Sequence, residues 1–440
     1  MDKHKASIVR YTEPLASVRR VVELCGGLER VGAGAKVFLK PNIVFWSRTT
    51  RFPKWGVITT SRVMEDLVVL LKERGVDDIT IGEGTVVGRP DDRETAPHAF
   101  ESLGYNRLKD RYGVKCLDIF QRPFEEVDLG DGVVLNFNTD ILHSDFVVDV
   151  PVMKTHAQTT VSLAIKNLKG TIDIKSRKRC HSADPEKGLH FWIARLAEKM
   201  PPILAVLDGI YTSEYGPAFD GVIHRSDILA ASWDPLSADL VGSRLLGHDP
   251  AAVPYLAHAA RRRGRLLDLS DVEVVGESIA DLVRPHQWSF PYNQEGTLPL
   301  PMAKRGMSGL SYYKYDDSLC TYCSSINGVV IQAVNAAWRG EPWEDVEILT
   351  GKKMQPRPGA RKTILLGKCM SQAHKDNPAI REKIAIKGCP PQPEQIIKAL
   401  HAAGIMADPD FFANLDAIPG NFLRRYQDRP EFEEGHFQVS

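Results

Sequence analysis

Short apolar runs that end beside a charged residue, glycine or proline recur along the chain. Residues 37–39 precede Lys40, residues 203–207 precede an Asp-Gly pair, and similar runs end just before Glu83 and Lys154. Runs of this length that are closed by glycine or proline are typical of buried strands in a parallel sheet.

Segments with a helical pattern lie between these runs. The stretch "TTSRVMEDLVVLLKERG" opens with Thr and Ser, carries an apolar stripe and ends in glycine, and "PLSADLVGSRLLG" repeats this plan on a shorter scale. Strands that alternate with helices predict an α/β fold in which a largely parallel sheet is covered by helices.

The pattern changes after about residue 281. The stretch "RPHQWSFPYNQEGTLPLPMAKRG" is rich in proline and aromatic residues and has no clear period, which is typical of a connecting segment. We therefore expect an α/β ligand-binding domain at 1–300, a smaller α/β domain that carries cysteines at 301–425, and a polar, frayed tail at 426–440.

Polar side chains follow several of the predicted strands. In open α/β sheets ligands bind beyond the carboxyl ends of the strands, so these side chains are expected at one edge of the sheet. The alternative is a solvated loop for each lysine and an ordinary turn or helix cap for each aspartate. The residues expected at this edge are Lys40, Glu83, Lys154, His156, Asp208 and Asp234.

The stretch "PVMKTHAQTTVSLAIKNLKG" at 151–170 adds further cations beside an apolar run. Lysine ammonium groups attract phosphate or carboxylate, and a histidine can move a proton near neutral pH. We therefore predict a site for an anionic small molecule, with Lys154 and His156 as catalytic residues. The predicted substrate-binding residues are Lys40, Asn42, Glu83, Lys166, Asn167, Asp208 and Asp234. The basic segment 172–190 that follows is read as a solvated loop or as a lid over the ligand.

The overall charge does not indicate a polyanionic partner. Lys plus Arg and Asp plus Glu both number 56 in 440 residues, so we expect neither nucleic acid nor an anionic membrane surface as a partner. No apolar run approaches the ~18 residues of a membrane span, and the N-terminal stretch lacks the apolar core of a signal peptide. A cytoplasmic protein is expected.

Four of the seven cysteines fall in the last third of the chain, at predicted strand ends or at a predicted helix start. These four are Cys320, Cys323, Cys369 and Cys389. Four thiolates can hold a [4Fe–4S] cluster, one per iron, or a tetrahedral zinc ion, and we favour the cluster. A redox-active CxxC pair is the other alternative, but it leaves Cys369 and Cys389 without a role. Cys25, Cys116 and Cys180 are not expected to be ligands.

The ordered motifs "KPN", "KTH", "IKNLKG", "DGI" with "GPAFDG", and "DPLSADLVGSRLLG" resemble the family known as domain of unknown function 362, over about residues 30–265. The resemblance implies an iron–sulfur centre, and it implies a distant relationship in fold to lactate racemase. The turn "GCPPQPE" is similar to the "CPPRPE" cluster-binding turn of the small iron–sulfur subunit of NADH:quinone oxidoreductases, a likeness that concerns Cys389 alone.

Three functions remain open at this point. We favour an iron–sulfur redox protein that transfers electrons between a [4Fe–4S] cluster and an anionic small molecule or a redox partner protein. The second is a non-redox isomerase or lyase that uses Lys and His on an anionic substrate and has a structural cluster. The third is a carrier of a metal centre.

Overall fold

A computed structural model describes residues 3–84 and 92–440 of the chain. It divides into two compact units. The first comprises Met1–Ser176, His190–Ser289 and Pro419–Ser440, and the second comprises Arg177–Leu189 and Phe290–Ile418. The chain thus enters the main part of the second unit just before the boundary that was predicted near residue 300, and it returns to the first unit at its C-terminal end.

The strands of the described residues are β1 (His4–Arg10), β2 (Lys36–Pro41), β3 (Asp78–Glu83), β4 (Lys115–Asp118), β5 (Phe124–Asp128), β6 (Val134–Asn138), β7 (Phe146–Val150), β8 (Val152–His156), β9 (Thr160–Ser162), β10 (Ile203–Glu214), β11 (Val222–Ser232), β12 (Val272–Gly276), β13 (Leu310–Tyr312), β14 (Val346–Leu349), β15 (Lys362–Leu366) and β16 (Glu382–Ile386).

The α-helices are α1 (Ala16–Leu24), α2 (Ser61–Glu73), α3 (Thr95–Ser102), α4 (Tyr105–Tyr112), α5 (Thr139–Leu142), α6 (Ala164–Asn167), α7 (Ile174–Cys180), α8 (Leu189–Ile193), α9 (Pro235–Leu245), α10 (Pro254–Arg263), α11 (Ile279–Leu282), α12 (Leu300–Lys304), α13 (Thr321–Ala337), α14 (Lys368–Ala373), α15 (Pro393–Ala402), α16 (Pro409–Ala413) and α17 (Ile418–Leu423).

The first unit is built on a ten-stranded sheet. Its strand order is β12-β1-β11-β10-β7-β2-β3-β4, and β8 continues beside β10 after β7 ends and pairs with β9. The block β10-β7-β2-β3-β4 is parallel throughout, and helices such as α2, with its nine buried residues, cover it. This mostly parallel sheet confirms the predicted α/β fold.

The direction of one strand of this sheet, β11, differs from the prediction. Strand β11 is antiparallel to both of its neighbours, and Ser232 at its end lies opposite Ala205 near the start of β10. Asp234 therefore lies at the edge where the parallel strands begin, and not with the other polar residues at their carboxyl ends. The prediction that it shares their edge is wrong, because the chain reverses between β10 and β11.

The second unit has its own sheet and core. Strands β13, β14, β15 and β16 pair in this order and are all parallel. Residues of α13 and α15, among them Val334 and Leu400, pack with Ile348 and Ile364 of the sheet. The turns after these strands are the places where the sequence predicted its cysteine ligands.

The C-terminal segment is not frayed, in contrast to the prediction. Tyr426, Phe432, Phe437 and Val439 are all buried in the core of the first unit. The ring of Phe432 lies 5.4 Å from that of Trp55, centroid to centroid. The polar appearance of this segment hid aromatic residues that bury large apolar areas.

No helix among residues 3–84 and 92–440 has both the length and the apolar character that a membrane crossing requires.

Candidate functional site

A buried ion pair stands at the carboxyl ends of β2 and β3. Lys40 Nζ lies 2.8 Å from Glu83 Oε2, and the two side chains are 0% and 3% exposed. The same carboxylate oxygen accepts a hydrogen bond from the Ile43 backbone N–H at 2.9 Å. A buried ammonium needs such a partner, so Glu83 compensates the charge of Lys40 inside the protein.

Lys154 continues this group from β8. Its Nζ donates to Asn42 Oδ1 at 2.6 Å and to the Val57 carbonyl at 2.8 Å. Asn42 Nδ2 donates to Asn167 Oδ1 at 2.9 Å, and Asn167 Nδ2 donates to Asp149 Oδ1 at 2.8 Å. We call the set Lys40, Asn42, Glu83, Asp149, Lys154 and Asn167 the lysine network.

The backbone of Gly170 passes close to the side chains of the lysine network. A Cβ atom on Gly170 would lie 2.6 Å from Glu83 Oε1 and 2.7 Å from Lys40 Cε, distances that real side chains do not tolerate. The glycine of the motif "IKNLKG" is therefore required where the chain passes over the ion pair.

Burial sets the protonation of the network. It lowers the pKa of Lys154 to about 7, an effect that the carboxylate of Glu83 opposes and the charge of Lys40 reinforces. Burial also raises the pKa of Asp149 well above its usual range, although Lys40 acts in the opposite direction. Asp149 Oδ2 has no hydrogen-bond partner within the described part of the chain. Near neutral pH the network can therefore hold or release a proton at Lys154.

Lys166 lies beside the network, at the end of the short helix α6. The start of this helix is fixed by Asp239, whose carboxylate accepts the backbone N–H groups of Ala164 and Ile165 at 2.6 and 3.1 Å. Lys166 is half-buried, and burial, then the charges of Lys169 and Lys154, lower its pKa well below the usual value.

The structure brings most of the predicted anion-site residues to one region. Lys40 and Lys154 are 0% and 1% exposed, which excludes a solvated turn for these two lysines. His156 follows Lys154 by two residues at the end of β8, and its Nδ1 accepts the Gln158 backbone N–H at 3.1 Å. Asp208 lies in β10, where its Oδ2 accepts the Thr60 backbone N–H at 2.7 Å.

Asp234 has a structural position instead. It begins α9 by accepting the Ser237 backbone N–H at 3.1 Å, and it forms ion pairs with Arg263 and Arg265. These two arginines hold the pKa of Asp234 below its usual range even though its burial acts in the opposite direction. The alternative of a helix cap, considered for this residue from the sequence, describes its geometry.

Two buried acids of this region were missed from the sequence. Asp149 pairs with Lys40 in the register of β7 and β2, and Asp239 holds α6 in place. Burial raises the pKa of Asp239 to about 7. The available signal was an aspartate inside the otherwise apolar run "FVVDV", since a charge in a buried strand needs a partner.

The four predicted ligand cysteines gather at the carboxyl edge of the second sheet. Cys320 occupies the N-cap of α13, and Cys323 lies in its first turn. Cys323 Sγ is 3.3 Å from the place that a Cβ on Gly367 would take, two residues before Cys369. The backbone N–H of Lys368 donates to the Gly388 carbonyl at 3.0 Å, which joins the turns that carry Cys369 and Cys389.

Electrostatic coupling supports this convergence. A hydrogen bond from Cys323 and the backbone N–H groups at the start of α13 hold the pKa of the Cys320 thiol below its usual range, against the effect of burial. The pKa of Cys323 is raised, first by its bond to Cys320 and by burial, then by the charges of Cys320, Cys369 and Cys389. Cys323 is thus within electrostatic reach of the other three thiols.

The four cysteines supply donor atoms at this edge, but they are not arranged as a complete coordination site. Among the described residues, no three His, Cys, Asp or Glu side chains stand in a ready-made metal-binding group. The donor chemistry fits a soft metal centre, because four thiols lie on two neighbouring turns and one helix start. Cys25 is buried in the first unit, Cys116 is in the edge strand β4, and Cys180 is buried at the end of α7.

The predicted basic loop at 172–190 is partly helical, since α7 covers Ile174–Cys180. Its end belongs to the second unit, where His181 Nδ1 lies 2.8 Å from the Asp317 carbonyl oxygen. Arg177 and His181 are each only 4% exposed. The interpretation as a solvated loop is therefore wrong for Arg177 and His181, whereas residues 183–186 of the same segment are exposed.

Comparison with known proteins finds a family that matches part of the chain but gives no reaction. Residues 37–244 match the model of the family described as domain of unknown function (DUF362), which confirms the resemblance found in the ordered motifs. A thylakoid-associated protein of Synechocystis sp. is 28% identical over 250 residues, which are 56% of this chain and 74% of that protein.

A search of solved structures finds the lactate racemase apoprotein from Thermoanaerobacterium thermosaccharolyticum, with a TM-score of 0.34 and 16% identity. The match covers 56% of this chain and 57% of that one, so the chain spans little more than half of its length.

Proposed function

We propose that this protein is an iron–sulfur redox protein in which Cys320, Cys323, Cys369 and Cys389 hold one [4Fe–4S] cluster. The observation that carries the proposal is the gathering of these four thiols at the carboxyl edge of a small parallel sheet. Four thiolates suit the cluster, which takes one per iron, and zinc is the alternative for the same donors.

The cluster would supply one-electron chemistry, and the chain would supply its ligands and their surroundings. Cys320 is the N-cap residue of α13, and the N-terminus of a helix stabilises the thiolate that a metal ligand must become. The partner that gives or takes the electron is an anionic small molecule or a second protein. We place the protein in a reducing compartment such as the cytoplasm, where thiols stay available for metal.

The test is anaerobic purification followed by measurement of iron, acid-labile sulfide and visible absorbance. We expect about four irons and four sulfides per chain. Separate Ser variants of Cys320, Cys323, Cys369 and Cys389 should lose most of both, because each removes one ligand. Cys25→Ser and Cys116→Ser are matched controls and should keep the full content. Stoichiometric zinc without sulfide would overturn the proposal.

The lysine network favours a second candidate, a non-redox isomerase or lyase that acts on an anionic substrate. Lys154, with its pKa near 7, is available as a proton acceptor at neutral pH, and His156 lies two residues away. The ammonium group of Lys166 forms no hydrogen bond or ion pair with any other described residue, so its cationic form would gain from an anionic ligand. The ion pair of Lys40 and Glu83 would then lie at the base of the site.

Anion binding tests this candidate separately from the cluster. Calorimetric titration with inorganic phosphate and with malonate should show weaker binding by Lys166→Ala and Lys154→Met, by about tenfold or more for one lost charge contact. The exposed Lys199 gives the matched control Lys199→Ala. Unchanged affinity in both variants, with the iron content intact, would remove the lysine network from consideration as a substrate site.

A further inference from the structure

One lysine of the second unit reaches a predicted ligand directly. Lys178, in the last turn of α7, places its Nζ 3.9 Å from Cys389 Sγ. This helix and the turn that carries Cys389 are separated by more than two hundred residues of sequence, so the contact depends on the folded second unit. No carboxylate within the described residues forms an ion pair with this ammonium group.

Two further contacts hold Lys178 in position. Its Nζ lies 4.6 Å from the centroid of the Tyr322 ring, and Tyr322 stands between Cys320 and Cys323 in the CxxC motif. Lys352 Nζ donates to the carbonyl oxygens of Lys178, at 3.3 Å, and of His181. The end of α7 is thus fixed against the cysteine edge by a second lysine, and the Lys178 ammonium is directed at sulfur and at an aromatic face.

Lys352 adds its charge to the same edge. Its backbone N–H donates to Ser318 Oγ at 2.8 Å, two residues before Cys320. Two lysines of the second unit therefore lie near the cysteine-bearing segments, Lys178 in contact with Cys389 and Lys352 after the end of β14.

We propose that Lys178 is a positioning residue for the redox centre: its ammonium donates an N–H···S hydrogen bond to the Cys389 thiolate and raises the reduction potential of the bound cluster. This inference rests on the proposed function. Adding one electron increases the negative charge on the centre, and a nearby cation or hydrogen-bond donor to sulfur stabilises that reduced state more than the oxidised one.

The redox step itself needs no covalent chemistry at Lys178. One electron passes from a reductant such as dithionite to the cluster, dithionite is oxidised, and no bond to the lysine forms or breaks. The role of the ammonium is electrostatic, so a residue that keeps the charge should keep the potential, and one that keeps only the side-chain length should not.

The experiment is an anaerobic redox titration of the full chain with dithionite and mediators, followed by visible absorbance. Lys178→Met and Lys178→Gln should disfavour the reduced state about tenfold, which lowers the one-electron midpoint potential by about 59 mV. Lys178→Arg should stay within about threefold of the wild type. Lys175→Met removes an exposed lysine of the same helix and is the matched control, with the same loss of net charge and no change expected.

The outcomes separate the inference from the proposed function. Absence of iron and sulfide from the wild type would refute the proposed function and this inference with it. A loaded wild type with equal potentials in Lys178→Met, Lys178→Gln and Lys175→Met would refute the inference alone. Loss of the cluster from all Lys178 variants, Lys178→Arg included, would also refute it, because that pattern shows a structural role for the side chain and not an effect of its charge.

Discussion

At the scale of the residue, Lys154 makes the stability of the first unit depend on pH. Its pKa is about 7 in the folded protein and near 10.5 for an ordinary lysine. Between these values the unfolded chain binds the extra proton, so the free energy of unfolding rises with pH, by up to about 1.4 kcal/mol per unit. Below about pH 7 the cost of burying the charge is fully present.

Urea unfolding between pH 7.5 and 10 should measure this slope. In that window Lys166, whose pKa burial also lowers, adds to the slope, and Asp149, whose pKa burial raises, opposes it. Both groups are present in the wild type and in a Lys154 variant, so the difference between the two slopes reports Lys154. Lys154→Met should lower the slope by up to about 1.4 kcal/mol per pH unit relative to the wild type, whatever its effect on absolute stability through the hydrogen bonds it removes. Lys199→Met should keep the wild-type slope. An identical slope in Lys154→Met would show that the lysine keeps an ordinary pKa.

Part of this residue-level chemistry could be predicted and part could not. The positions of Lys40 and Lys154 at strand ends follow from the apolar runs before them, and the structure has both there. The partners could not be predicted, because the pairing of Lys40 with Glu83 depends on which strands are neighbours. A sequence shows that a strand ends in a charge but not which side chain compensates it.

At the scale of the element, the prediction succeeded where strands follow helices and failed at a hairpin. Strands β10 and β11 are joined by a short turn that includes the "GPAFDG" motif. A parallel crossover needs a dozen residues or more, so two strands joined by so short a turn must be antiparallel. This length criterion was available in the sequence and would have moved Asp234 to the opposite edge of the sheet.

The positions of the turns that carry Cys369 and Cys389 could be predicted, because they depend on the local sequence. A strand that ends in glycine and is followed by a helix puts its next residues at the carboxyl edge of a parallel sheet, and both Cys369 and Cys389 follow such a glycine. Contacts between distant elements gave no such signal. The approach of Lys178 to Cys389 joins α7 to the turn after β16, and no pattern in either segment indicates it.

At the scale of the whole molecule, the C-terminal segment closes the core of the first unit. Phe437 is 1% exposed, its ring centroid lies 6.5 Å from that of Trp55, and Lys54 Nζ lies 5.4 Å from it. Polar contacts also hold the segment in place, since the Trp55 indole N–H donates to the Glu433 carbonyl at 3.1 Å. The last residues of the chain are therefore part of the structure that supports the sheet.

Phe437→Ala should lower the free energy of unfolding of the first unit by about 3–5 kcal/mol, because it empties a large buried site that the surroundings can only partly refill. Chemical denaturation measures this loss. Leu266→Ala is the matched control, since Leu266 is 53% exposed in the same unit and its truncation should cost less than about 0.5 kcal/mol. The iron and sulfide content of both variants should equal that of the wild type, because the proposed ligands belong to the second unit. If the tail were frayed, Phe437→Ala would have the same free energy of unfolding as Leu266→Ala. The difference between the two variants therefore shows whether the C-terminal segment stabilises the first unit.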